Sequence, residues 1–129
     1  MNKPRVVTRF LRKKAFPTGK YIEPGEFYRP RDLVDKEISV FNIDDELKNN
    51  DNEAIYKLAD NARLVKISGR GDIKVEELEK ILCGSKYLEI QDYKSGKHCA
   101  IRPFPSNDQE ALLVAQKIVF IAKLHIRGK

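Results

Sequence analysis

NDQEALLVAQKIVFIAKLHI, residues 107–126, is the stretch that decides how this chain must fold. Ala111, Leu112, Val114, Ala115, Ile118, Val119, Ile121, Ala122 and Leu124 recur at helical spacing with almost no polar face between them. A helix that apolar has to be buried. Ser106 and Gln109 stand at the spacing of a capping box, in which each side chain satisfies one orphan backbone N–H, and Pro105 stops any earlier start. The pattern predicts a helix from Asn107 to Ile126 that serves as the hub for everything before it.

Working outward from that helix, Tyr87–Ile90 and His98–Arg102 read as the two strands of a hairpin turned at Lys94-Ser95-Gly96. Val75–Leu82 reads as a short amphipathic helix, with Val75, Leu78, Ile81 and Leu82 inward and Gly84 placed to end it. Before it, Arg63–Ser68 (RLVKIS) looks like a strand and Gly69-Arg70-Gly71 like the turn that follows. The glycine spacing there fits neither a P-loop nor a dinucleotide fingerprint. Asn52–Asn61 carries the one-sided stripe Ala54, Ile55, Leu58, Ala59 of a helix, and Asp44 or Asp45 could cap a short turn ahead of it. Ile38–Asn42 alternates as a strand, with Ile38 and Val40 on one face and Ser39 and Phe41 on the other. Residues 18–31, punctuated by Gly19, Pro24, Gly25 and Pro30, form a long loop ordered by Tyr21, Phe27 and Tyr28. In residues 3–16 a strand or a first helix would use Val6, Val7, Phe10, Leu11 and Phe16 equally well. The sum is an α+β fold: a small, mostly antiparallel sheet of three to five strands packed on two or three helices, with a buried C-terminal helix. At 129 residues the chain can bury one core, which predicts one domain.

Charged residues make up 34% of the sequence and the net charge is +6. That average hides a segregation. Residues 1–31 hold nine bases and two acids, residues 32–62 nine acids and three bases, and residues 63–129 thirteen bases and eight acids. An acidic middle is foreign to a uniformly basic nucleic-acid binder, so contact with a polyanion should come from one face. The competing account is that the basic start and the acidic middle lie together and cancel. No apolar run approaches the roughly 20 residues that cross a bilayer, and Met1–Leu11 lacks the apolar segment of a secretion signal. Together with two cysteines, Cys83 and Cys99, expected as free thiols, this predicts a cytoplasmic protein with no membrane partner.

Cys83, His98, Cys99 and His125 offer four metal-ligand types, but no CxxC or HxxxH element joins them, so neither a metal nor another cofactor is expected. The basic opening is more informative. Arg5, Arg9, Arg12, Lys13, Lys14 and Lys20, with Tyr21, Phe27, Tyr28, Arg29 and Arg31 behind them, combine phosphate-binding cations with aromatic rings that can stack on bases. His98, beside Cys99 on a predicted strand, could act as an acid or base if its neighbours orient the ring, and Ser39 could face the same cleft.

The pieces Arg9-Phe10, Arg29-Pro30, Ile38–Phe41 (ISVF) and Lys97–Ile101 (KHCAI), followed by the alanine-rich last helix, are similar to those of a family of small bacterial proteins with no assigned function. In that pattern alanine directly follows the histidine, whereas here Cys99 intervenes. The resemblance implies a compact domain and directs attention to Arg9, Arg29, Ser39 and His98 as a cluster. Two functions follow from these residues. The first is a non-catalytic binding or accessory module that meets an anionic partner, nucleic acid or an acidic protein, through the basic N-terminal face. The alternative is a small enzyme acting on a nucleotide or NAD-like phosphate, with Arg9 and Arg29 holding phosphate and His98 as acid/base. No paired carboxylates or nucleophile elbow accompany the second reading.

Overall fold

A computed structural model describes residues 4–27, 38–62, 64, 66–81, 89–92, 97–102 and 108–128. Its strands are β1 (Val6–Leu11), β2 (Ile38–Asn42), β3 (Gly69–Lys74), β4 (Glu89–Asp92), β5 (His98–Arg102) and β6 (Lys123–Ile126). Its α-helices are α1 (Asp44–Lys48), α2 (Asn52–Asn61), α3 (Val75–Ile81) and α4 (Asp108–Ile121), and single 3-10 turns cover Lys13–Ala15 and Pro24–Phe27. The strands form one six-stranded sheet in the order β4-β5-β2-β1-β3-β6, with every neighbouring pair antiparallel.

Between strand and helix, the opening segment is a strand because both of its faces are buried. Val7 and Leu11 enter one core and Phe10 enters another on the opposite side, an arrangement that only two-residue alternation provides. The larger core takes Val7, Leu11, Ile38, Val40, Ile73, Cys99 and Ile101 from the sheet and Ala111, Val114, Ala115 and Ile118 from α4. Phe16 and Phe27 close it, each fully buried and contributing about 1.5–3 kcal/mol relative to exposure. Across the sheet, α2 lays Ile55, Tyr56 and Ala59 against Phe10 and Ile43. Its N-terminus is capped by Asp51, which accepts from the Ala54 N–H at 3.1 Å.

The last helix packs on the sheet through a single stripe. Leu113 is 57% and Phe120 88% exposed, so burial does not extend around it. It also ends at Ile121, five residues before the expected limit, and Lys123–Ile126 turns into edge strand β6. Two-residue alternation wins there because β3 offers an open row of backbone partners, and as a strand Leu124 and Ile126 still pack against the larger core.

A second correction concerns the glycines. Gly69-Arg70-Gly71 is not a turn but the start of β3, between β1 and β6. A Cβ on Gly69 would sit 2.7 Å from the His125 carbonyl oxygen and 3.0 Å from the Phe16 ring, and one on Gly71 2.8 Å from Cδ1 of Ile22. These glycines allow close packing rather than a reversal. The expected strand over 63–68 is not formed among its described residues, where Lys66 holds a left-handed φ of 59°. Asp44 also departs from expectation. Its carboxylate accepts from the backbone N–H of Arg5 at 2.9 and 3.1 Å and of Val6 at 2.8 Å, securing the start of β1. The hairpin of β4 and β5 is present with Ile90 opposite Ile101, while Tyr87, Gly84 and the turn at 94–96 lie outside the described residues.

Candidate nucleic-acid interface

The register of three strands assembles a cationic end of the sheet. Leu11, Gly69 and Ile126 stand in one row across β1, β3 and β6. The Ser68 N–H donates to the Leu11 carbonyl and the Arg127 N–H to the Ser68 carbonyl, both at 2.8 Å. The residues just outside that row are Arg12, Lys13 and Lys14 after β1, Lys66 before β3 and Arg127 after β6. Lys20 joins them, because the loop at Gly19 backs onto Ile126, whose Cδ1 lies 3.6 Å from the Cβ position of Gly19. All six are exposed or partly exposed.

The described acids of the middle third are largely engaged away from this end, while Asp32, Asp35 and Glu37 lie outside the described residues. Asp45 and Glu46 pair with Lys97 at 2.6 and 3.6 Å, Asp44 secures β1, Asp51 caps α2, and Asp60 reaches Arg127 at 3.5 Å. The Lys97 contact holds the Asp45 carboxyl below its usual value, and Asp45 in turn holds the Lys97 ammonium above its own. Arg12, Lys13, Lys14, Lys20 and Lys66 form no ion pair among the described residues.

Other residues singled out from the sequence lie elsewhere. Arg5 precedes β1 and Arg12 follows it, so the length of a six-residue strand, roughly 20 Å, separates them. Arg9 is 7% exposed. Its guanidinium faces the α4 side and donates to the carbonyls of Glu26 at 3.0 Å and Ser39 at 2.9 Å. Ser39 and His98 share the opposite face, Ser39 exposed and the His98 ring tilted on Phe41 with centroids 5.1 Å apart. Arg9 and His98 are therefore on opposite sides of the sheet. Tyr28, Arg29, Arg31 and Cys83 lie outside the described residues.

The sequence reading missed a polar network beneath α2. Arg70, 2% exposed, donates from Nε to Asp72 Oδ1 at 3.0 Å and from a terminal nitrogen to Asn52 Oδ1 at 3.2 Å. The buried Thr8 hydroxyl donates to Asp72 Oδ1 at 2.7 Å, and Nε2 of His125 lies 3.3 Å from Asp72 Oδ2. Two guanidinium groups lie over the Tyr56 ring, Arg70 at 5.5 Å and Arg127 at 4.8 Å from its centre. Burial pushes the Tyr56 hydroxyl above its ordinary value against the opposing pull of Arg70. Period-two alternation in GRGDIK, with Arg70 and Asp72 against Gly69, Gly71 and Ile73, is the signal that would have placed these groups on one face.

Among the described residues no group of three His, Cys, Asp or Glu side chains is arranged to hold a metal ion. No described helix is long and apolar enough to cross a membrane. No protein-family model, curated protein or solved structure matches this chain.

Proposed function

We propose that this protein is a non-catalytic module that binds nucleic acid through the cationic end of its sheet. The observation that carries the reading is the gathering of Arg12, Lys13, Lys14, Lys20 and Lys66 at one row of strand ends without ion-pair partners among the described residues. Cations left in water at close quarters repel one another, and a phosphate backbone relieves that repulsion while releasing its condensed counterions. The same patch could meet an acidic protein, whose carboxylates lack the regular charge spacing of a phosphodiester. Phosphate chemistry at His98 finds less support, because Arg9 faces the other side of the sheet and is engaged by backbone carbonyls.

The test is the affinity for a labelled oligonucleotide measured across salt concentrations. Four or five phosphate contacts give a log–log slope of roughly −3 to −4. The Arg12→Glu, Lys13→Glu, Lys14→Glu variant should bind far more weakly, with a slope shallower by about one for each contact removed. Undiminished binding by that variant, or an affinity indifferent to salt, would overturn the proposal.

A further inference from the structure

We infer that the nucleic acid recognised at the cationic end is single-stranded, with an unpaired base stacking on Tyr21; this rests on the function proposed above. Tyr21 is 52% exposed although its loop is anchored on both sides. Ile22 is buried with its Cδ1 against Gly71, and the Glu23 N–H donates to the Ala15 carbonyl at 2.7 Å. On the other side the Gly19 N–H donates to the Phe16 carbonyl at 2.9 Å, and the Gly19 backbone rests near Ile126. The ring is thus held outward by a fixed backbone, one residue from Lys20. An aromatic face presented to water beside cations is the pairing that holds a base and its phosphate together.

The described helices argue against a duplex. Reading a major groove takes a projecting helix or two-stranded ribbon with a cationic face. Each of α1, α2, α3 and α4 carries more acidic than basic residues. Among the described residues the clustered cations sit on loops and strand ends rather than on a helix that could enter a groove, an arrangement to which a flexible single strand can adapt more readily than a rigid duplex.

Three variants and three probes test this: Tyr21→Ala, Tyr21→Phe and the Arg12/Lys13/Lys14 triple Glu variant, against an unstructured pyrimidine strand, an abasic strand of equal length and a duplex. The native protein should bind the pyrimidine strand most tightly. Tyr21→Ala should weaken that binding about tenfold, a typical effect of losing one stacked base, and leave the abasic strand and the salt slope unchanged. Tyr21→Phe should retain native affinity. If Tyr21→Ala binds the pyrimidine strand normally while the triple variant does not, the stacking inference is wrong and the cationic interface stands. Equal or tighter binding of the duplex overturns the single-strand assignment. If neither variant changes binding, or the native protein binds none of the probes, the cationic interface fails and the stacking inference with it. Circular dichroism and thermal melting check that the Tyr21 variants are folded, as expected for a half-exposed ring.

Discussion

Nε2 of His125, on edge strand β6, lies 3.3 Å from Oδ2 of Asp72 on the neighbouring strand β3. Burial pushes this imidazole below the ordinary histidine value of 6.5; Asp72 pulls it back up, and Arg70 and Lys123 push it down again. Below that value the unfolded chain takes up a proton that the folded chain still refuses, so stability rises with pH in this window. The stabilisation is complete above about 6.5 and is lost as pH falls toward the depressed folded value. Thermal unfolding should give a lower midpoint at pH 5.5 than at pH 7.5. His125→Gln should flatten the part of that dependence due to this residue. A native midpoint with no excess pH dependence over the variant would contradict the assignment.

Asp72 accepts from Thr8 and Arg70, with Nε2 of His125 3.3 Å from its other oxygen, in a site where both Arg70 and Asp72 are shielded from water. Asp72→Ala leaves the Arg70 guanidinium buried without its counter-charge and should cost about 3–5 kcal/mol in urea unfolding. Joint replacement by Arg70→Met and Asp72→Leu should cost clearly less, since no buried charge remains. Equal losses for the two would show that packing rather than charge dominates this site.

Gly69 and Gly71 should respond differently to alanine. At Gly69 the new methyl meets the backbone oxygen of His125, which cannot move without disturbing the β3–β6 pairing. At Gly71 it meets the end of the Ile22 side chain, which can shift. Gly69→Ala should therefore destabilise by at least the 1–3 kcal/mol typical of overpacking, and Gly71→Ala by less. Ile22→Val should recover part of the Gly71→Ala loss, and denaturant titration of the three variants orders them.

Asp44 and Asp45 are adjacent acids with unequal roles. Asp44 accepts three short contacts from the backbone N–H groups of Arg5 and Val6, whereas the exposed Asp45 carboxylate meets the end of Lys97. Asp44→Ala should cost roughly 1.5–3 kcal/mol, the worth of hydrogen bonds to a charged group. It should also speed amide exchange at Arg5 and Val6. Asp45→Ala should leave amide exchange in β1 unchanged.

Elements whose signal is local were legible in the sequence. Asn52–Asn61 has its stripe, its dipole-facing acid and its end within ten residues, and Ile38–Asn42 declares its two faces by strict alternation. What was hidden depends on partners far along the chain. Gly69 reads as a turn until the His125 oxygen behind it is known, and Lys123–Ile126 reads as more helix until β3 is seen to need a neighbour. Arg9 reads as a surface cation because only tertiary structure brings the Glu26 and Ser39 carbonyls to its guanidinium. At the candidate interface the Arg12-Lys13-Lys14 run was visible, but its company of Lys66 and Arg127 was not, since strand register alone makes them neighbours.

That company has a consequence for the denatured chain. Arg12 leaves the first strand and Arg127 the last, so the two come to the same end of the sheet only after it has closed. An uncoiled chain carries the same total charge but spreads it through a radius more than twice as large. Charge density, rather than charge, is what a polyelectrolyte senses. Such a ligand would therefore favour the native form over the random coil, and heparin-like or oligonucleotide additives should raise the melting midpoint in proportion to the logarithm of their concentration.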